Sequence, residues 1–411
     1  MKHELDTLMQ SADIDGLLVT GPAMHNPAMV YMIGVAHVTA GDLIKKRGAP
    51  AILFHGVMER EEAAKSGLQC VSYNKYPWAE LFAAADGDLN LAMALRYQKM
   101  FAEAGISAGR IAVYGLSEVG AAISIFKYLE NLMPGLELVG FTKDELLMQA
   151  QMTKDVEEVA RIRHMGKITT EVVARTAEYL TTGKPVNGVM THQDGLPLTI
   201  GEVRGKINLW LAELGAENPE ATIFAIGRDA GIPHSIGSDS DLIELGKPIV
   251  YDIFPCEAGG GYFYDFTRTW CLGYAPDAVL RLYEDVLTVF KTLLRELEVG
   301  APFKRYQVRT CELFEAMGHP TIATHPEVEE GYIHSIGHGV GINIHEKPFS
   351  GASAAGTDSL IPGTVFTIEP GLYYPSRGMG VRLEDTFYTR PDGKFEILAP
   401  YSLDLVLPVK S

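Results

Sequence analysis

Four carboxylates interrupt runs that otherwise read as buried β-strands. They are Asp252 in PIVYDIFP, Asp265 in GYFYDFTRTW, Glu369 in VFTIEPG and Glu384 in VRLEDT. A charge flanked by Ile, Phe, Val and Leu on a strand is costly to bury unless something offsets it. One such acid alone reads as a salt bridge or a strand end facing water. Four of them, with the histidine of Gly337-His338-Gly339 in HSIGHGVGINIHEKP, ask for a common partner. Two shared divalent cations are the economical solution. Hard oxygen ligands with a single imidazole suit Mn²⁺, Co²⁺, Fe²⁺ or Zn²⁺.

The rest of the composition narrows the class. A chain of 411 residues is too long for one comfortable core, so two domains are expected. Hydrophobic residues at 47% and charged residues at 21% are ordinary for a folded protein. With 35 basic against 52 acidic residues the net charge is −17, which repels nucleic acids and anionic membranes. Cys70, Cys256, Cys271 and Cys311 are too scattered for a disulfide framework or a CxxC zinc site, so they read as reduced thiols of a cytoplasmic protein. The start, MKHELDTLMQSADIDG, shows no apolar targeting segment. The uncharged stretch Gly16–Gly41 is broken by Pro22, Pro27 and glycines, and fits a strand-and-loop region rather than a membrane span.

Residues 1–145 alternate short β-rich and helical runs, which argues an α/β layer domain. Strands are expected at Leu17–Thr20, Ala51–Phe54, Val71–Tyr73 and Ile111–Tyr114, and helices at Glu59–Lys65 and Ala121–Leu132. Neither GxGxxG nor GxxxxGK[ST] occurs. The charged segment Thr142–Lys154 reads as the junction, leaving 146–411 as a second domain. There Asp155 and Glu158 form a capping-box pattern ahead of apolar residues at helical spacing. Further helical patterns fall at 202–214, 277–298 and 303–317, and strand-like runs at 248–254, 262–269, 364–369, 381–388 and 395–398. This mixture is α+β, with helices against a largely antiparallel sheet. Asp252 and Asp265 would sit on neighbouring strands joined by the glycine-rich Cys256–Gly261, their side chains on one face. The glycines around His338 would let backbone approach a ligand closely.

These five motifs, in this order, resemble the pita-bread-fold metallopeptidases: methionine aminopeptidase, aminopeptidase P, prolidase and their relative creatinase. The resemblance implies that Asp252, Asp265, His338, Glu369 and Glu384 are ligands of two divalent metal ions, manganese first, with cobalt, zinc or iron as alternatives. It maps substrate-contacting histidines to His234 in GIPHSIG and to His345, a further pocket position to His334, and a site-lining arginine to Arg382. The N-terminal half looks like a creatinase-type domain, carried by prolidases and aminopeptidases P. Here the two aspartates are thirteen positions apart rather than the family's eleven, and a two-residue insertion keeps both on one strand face. The implied activity is hydrolysis of Xaa-Pro bonds in small peptides by a cytoplasmic homodimer. Glu369 would be the general base, and His345 and His234 hydrogen-bond donors to the reacting peptide. Arg382 would bind a substrate carboxylate or balance the acids. The competing readings are a relative acting on a non-peptide C–N or C–S bond, and a binding module that has lost catalysis.

Overall fold

Leu17-Leu18-Val19 has no polar face, and the structure buries it on both sides. Leu17 and Val19 enter one apolar cluster and Leu18 another. They lie on β1 (Gly16–Gly21), followed by α1 (Pro27–Ile33), β2 (Gly41–Lys46), β3 (Ala51–His55) and β4 (Gln69–Ser72). Then come α2 (Leu89–Glu103), β5 (Gly109–Gly115), α3 (Val119–Leu132) and β6 (Leu136–Val139). The strands form one mixed sheet in the order β4-β3-β2-β1-β5-β6, with β1 antiparallel to β2 and parallel to β5. Met29, Met32 and Ile33 of α1 cover one face; Tyr97, Phe101, Ile125 and Leu129 of α2 and α3 cover the other. Strands β2 and β6 and helices α1 and α2 go beyond the elements expected from sequence. Helix α1 begins on two start signals inside the uncharged stretch: the Asn26 side chain accepts from the Met29 N–H at 3.3 Å, and Pro27 is the first helical residue.

The computed structural model describes residues 4–141, 146–351 and 354–409. Part of the expected junction, 142–145, therefore lies outside the described residues. The chain forms two compact units, Met1–Gln151 with Gly259–Gly261, and Met152–Ala258 with Tyr262–Ser411.

The second unit opens with α4 (Val156–Thr182), where Asp155 and Glu158 close the capping box. In order there follow α5 (Ile200–Glu213), β7 (Ile223–Ile226), β8 (Pro248–Ile253), β9 (Phe266–Leu272), α6 (Asp277–Glu296) and α7 (Lys304–Ala316). The remainder is β10 (His338–Gly339), β11 (Glu346–Phe349), β12 (Val365–Ile368), β13 (Gly371–Tyr374), β14 (Met379–Arg382), β15 (Asp385–Thr389), β16 (Phe395–Ile397) and β17 (Val406–Leu407). The two larger sheets are β7-β8-β9-β17 and β11-β10-β12-β15-β16; β13–β14 is a separate hairpin, and Cys256–Glu257 with Ala216–Glu217 and Lys184–Val186 with Val189–Thr191 form small two-stranded pairs. Val286, Phe290 and Phe314 of α6 and α7 pack with Phe366, Val381 and Phe387 of the strands.

The run 381–388, expected as one strand, is two. It breaks at Leu383-Glu384 because the Glu384 backbone bonds to Thr267 of β9 instead: Glu384 N–H donates to Thr267 O at 3.0 Å and Thr267 N–H to Glu384 O at 3.4 Å. That bridge joins the two sheets, and Arg268 locks it. The Arg268 side chain is 1% exposed and donates to Asp385 Oδ1 at 2.8 Å, to the carbonyls of Thr267 and Glu384, and to Ser402 O at 2.8 Å. Removing one member of a buried charge pair costs about 3–5 kcal/mol. Arg268→Met is accordingly expected to lose stability of that order in urea unfolding. A loss below about 1 kcal/mol, the scale of a surface ion pair, would contradict the locking role.

Candidate metal centre

Strand register sets the acids. Asp252 on β8 lies opposite Thr267 on β9. Asp265 is two residues before Thr267, so all three side chains share a face of the sheet. The connection between the strands is not a tight hairpin, because Cys256–Glu257 pairs with Ala216–Glu217. Glu384 joins through its bridge to Thr267. Glu369 follows β12, whose Ile368 pairs with Asp385, so Glu369 and Glu384 emerge side by side. His338 on β10 is held to β12 by its backbone N–H, which donates to Thr367 Oγ1 at 3.2 Å.

The five side chains expected as ligands thus converge. Asp252, Asp265, His338 and Glu384 are buried, and the Glu369 side chain is 14% exposed. One ligand atom from each of Asp265, His338 and Glu384 lies within 4.8 Å of the others, a metal-sized grouping among the described residues. His338 Nε2 stands 3.5 Å from Asp265 Oδ2 and 3.4 Å from Glu369 Oε1.

The imidazole's hydrogen bonding decides what these distances mean. His338 Nδ1 is 3.1 Å from Gly339 O, so Nδ1 carries the proton and Nε2 presents a lone pair. Burial, with His345 adding to it, holds the His338 pKa down to about 3, so the ring is neutral. A lone pair aimed at two ionised carboxylates is repulsive; protons on the acids relieve this, and a cation placed among them turns each contact into a ligand bond. Three carboxylate oxygens here, Asp252 Oδ1, Asp265 Oδ1 and Glu384 Oε1, are buried without a hydrogen-bond partner. Burial first, then the neighbouring acids, raises Asp265 and Glu384 well above the carboxylate range. Burial likewise pushes Glu369 to about 8. The donor set fits divalent cations.

Arg382 supplies one positive charge from within the protein. Its Nη2 pairs with Asp252 Oδ2, its Nε donates to Thr267 Oγ1 at 3.2 Å, and its Nη1 donates to Tyr373 OH at 2.8 Å and Pro233 O at 3.3 Å. One acid of the cluster, Asp252, is thereby paired with an internal positive charge. Tyr373 OH reaches His334 Nε2 at 3.0 Å, while His334 Nδ1 donates to Ser335 O at 2.7 Å and stands 3.6 Å from Glu369 Oε2. Burial, then Arg382, lowers His334 to about 3 and keeps it neutral.

His345 is exposed, its ring edge-on to His338 at a 4.3 Å centroid separation. His234 is exposed in the turn after Pro233. The glycines flanking His338 have a different purpose from the one expected. A Cβ at Gly337 would lie 2.1 Å from Thr367 O, and one at Gly339 2.0 Å from Lys347 O, so they admit neighbouring backbone rather than a ligand.

Sequence reasoning missed Thr267, Thr367 and Tyr373. Thr267 donates to Glu384 Oε2 at 2.7 Å, and its place two residues after Asp265 was the available signal. Tyr373 had none, since only the hairpin register brings it to Arg382.

The profile of metallopeptidase family M24 matches residues 160–391. The chain belongs to this family. A curated relative, the Xaa-Pro dipeptidase of Pyrococcus furiosus, is 30% identical over 270 residues, 65% of this chain and 69% of that one. The probable dipeptidase PepE of Mycobacterium tuberculosis is 28% identical over 303 residues, 72% of this chain and 73% of that one. Among solved structures, the prolidase of Pyrococcus horikoshii shares the fold with a TM-score of 0.72 at 22% identity, covering 98% of each chain. The X-Pro aminopeptidase of Thermotoga maritima does so with a TM-score of 0.73 at 21% identity, covering 97% of this chain and 99% of that one. The M24 domain thus contains every residue of the acid cluster.

A metal-dependent family with these carboxylates has a testable pH signature. Above pH about 6.5, the ordinary histidine value, His334 and His338 are neutral in both folded and unfolded states, leaving the acids to titrate. Their folded pKa values are raised, so the folded protein binds the extra protons and stability falls as pH rises. Metal-free M24 protein is expected to lose thermal stability from pH 6.5 through about 8, the value to which Glu369 is raised. Added divalent cation should remove the slope. Equal melting temperatures across that window without metal would show that the acids are compensated otherwise.

Proposed function

We propose that this M24 protein hydrolyses Xaa-Pro peptide bonds, as a dipeptidase or an aminopeptidase, with two divalent cations held by Asp252, Asp265, His338, Glu369 and Glu384. Manganese is the first choice among manganese, cobalt, zinc and iron. The observation that carries the reading is the neutral His338 lone pair and three unpartnered carboxylate oxygens gathered in one buried cluster. The names of the Pyrococcus relatives and neighbours support the proline-specific branch. The proposal extends to a cytoplasmic homodimer. The dimer rests on the family resemblance alone, and the compartment on that resemblance and on four cysteines too scattered for a disulfide framework.

When bound, such ions lower the pKa of a held water from about 15.7 toward neutrality and polarise the scissile carbonyl. Glu369 would take the attacking water's proton at a carboxylate oxygen and pass it to the leaving nitrogen. As in any amide hydrolysis, the departing nitrogen must gain a proton as the C–N bond breaks, here the proline nitrogen of a tertiary amide. His345 and His234 donate hydrogen bonds to the peptide and to the charge developing on its carbonyl oxygen, an interaction worth most in the transition state. Arg382, through Asp252, and Thr267, through Glu384, fix the acids' orientation. Tyr373 and Arg382 hold His334 facing Glu369.

Asp265→Ala and Glu384→Ala are each expected to lose bound metal and activity together, read by elemental analysis after dialysis and by peptide assay. Full activity with metal retained in either variant would sink the ligand assignment. On the substrate side, kcat/KM should be higher for Xaa-Pro than for matched Xaa-Ala peptides, as a site selective for the pyrrolidine ring and for an amide without an N–H requires. Equal values, or cleavage only after an N-terminal Met, would place the protein on another branch. An Xaa-Pro dipeptide beside an Xaa-Pro-Yaa tripeptide separates dipeptidase from aminopeptidase.

A further inference from the structure

His345 sits at the end of a loop wrapped around a buried negative charge. The next residue, Glu346, is wholly buried, and its carboxylate is paired with Lys154, whose side chain is 2% exposed. The Glu346 carboxylate also accepts from the Asn343 N–H at 3.3 Å. Gly341 lies directly over it: a Cβ there would stand 2.3 Å from Glu346 Oε1 and 2.7 Å from Oε2. The same loop is anchored on its other side, where Phe263 N–H donates to Gly341 O at 2.7 Å. Residues 341–346 therefore fold around one carboxylate. His345 immediately precedes Glu346, and its imidazole lies edge-on against His338, ring centroids 4.3 Å apart.

Lys154 is fixed independently. Its backbone N–H donates to Gly363 O at 2.8 Å, and Thr153 bridges Thr364, which precedes β12 and hence Glu369. Through its backbone and its side chain together, the Thr153-Lys154 segment thus ties the approach to α4 to the start of the Glu369 strand and to the His345 loop. Both ions are out of water and 192 positions apart in sequence. Such a pair is a poor source of net stability compared with apolar packing, but it specifies one geometry, because either ion alone is strongly penalised.

We propose that the Lys154–Glu346 pair is a positioning device that sets the His345 imidazole at the mouth of the metal cluster. Lys154 and Glu346 touch no substrate and act through the loop. The inference rests on the role given to His345 above, and its test separates the two. Lys154→Met and, as a second variant that keeps shape and the Asn343 hydrogen bond, Glu346→Gln are compared with His345→Ala and with the double variant Lys154→Met/His345→Ala. Structure is read in the metal-free protein from the His345 imidazole ¹H–¹³C cross-peak, identified by its loss in His345→Ala.

The cross-peak should shift or broaden in Lys154→Met and in Glu346→Gln. A misplaced catalytic group costs about 10²-fold, so kcat should fall on that order with KM nearly unchanged. The double variant should be no slower than His345→Ala alone. An unmoved cross-peak overturns the positioning role, as do defects that multiply in the double variant, which would mean that Lys154 acts on something other than His345. A moved cross-peak together with a normal rate for His345→Ala would keep the positioning role and instead remove His345 from the proposed chemistry. If Lys154→Met does not fold, Glu346→Gln carries the same comparison.

Discussion

Four carboxylates cannot share a buried space without positive charge among them. In water each would be solvated. Here Asp252, Asp265 and Glu384 are nearly sealed, and Glu369 is mostly so. Arg382 offsets part of this through Asp252, and the rest falls to protons on the acids or to cations bound in their place. Much of the second unit is built to enforce the arrangement. The β8–β9 register places the two aspartates on one face, the Glu384–Thr267 bridge breaks a strand to bring in the third acid, and Arg268 holds that break from behind.

The cluster therefore contains two kinds of group. Thr267, Thr367, Tyr373 and Arg382 orient the acids and histidines by hydrogen bonds and are themselves fully engaged. The unpartnered carboxylate oxygens and the His338 lone pair are what this scaffold leaves for ligands from outside. Such division is costly to stability in the metal-free protein, since its acids repel and must retain protons. Binding of cations returns that energy as folding free energy, coupling assembly of the site to stability of the unit.

The acids were legible in the sequence because carboxylates amid strand-forming residues violate the usual pattern, and each violation marks a position. Strand parity was legible too, since a spacing of thirteen between Asp252 and Asp265 preserves the common face. The elements missed are those whose logic is not local. β2 ends in Lys45-Lys46 and carries Asp42, and reads as polar, yet Asp42 is buried between the hydroxyls of Tyr73 and Tyr97. The split of 381–388 depends on a partner more than a hundred residues away. For the same reason Tyr373 and the Lys154–Glu346 pair give no signal in the chain order. The glycines of Gly337-His338-Gly339 were rightly marked as close approaches, but the approaching atoms are carbonyls of adjacent strands.

The central claim is that the acid cluster and His338 hold divalent cations, and anomalous diffraction from crystals grown with Mn²⁺ tests it at the atoms concerned. Data collected across the manganese edge should show two anomalous peaks inside the cluster, within ligand distance of its carboxylates and of His338 Nε2. Strong peaks elsewhere on the chain, or none at a Mn²⁺ concentration that removes the pH dependence of stability, would contradict it.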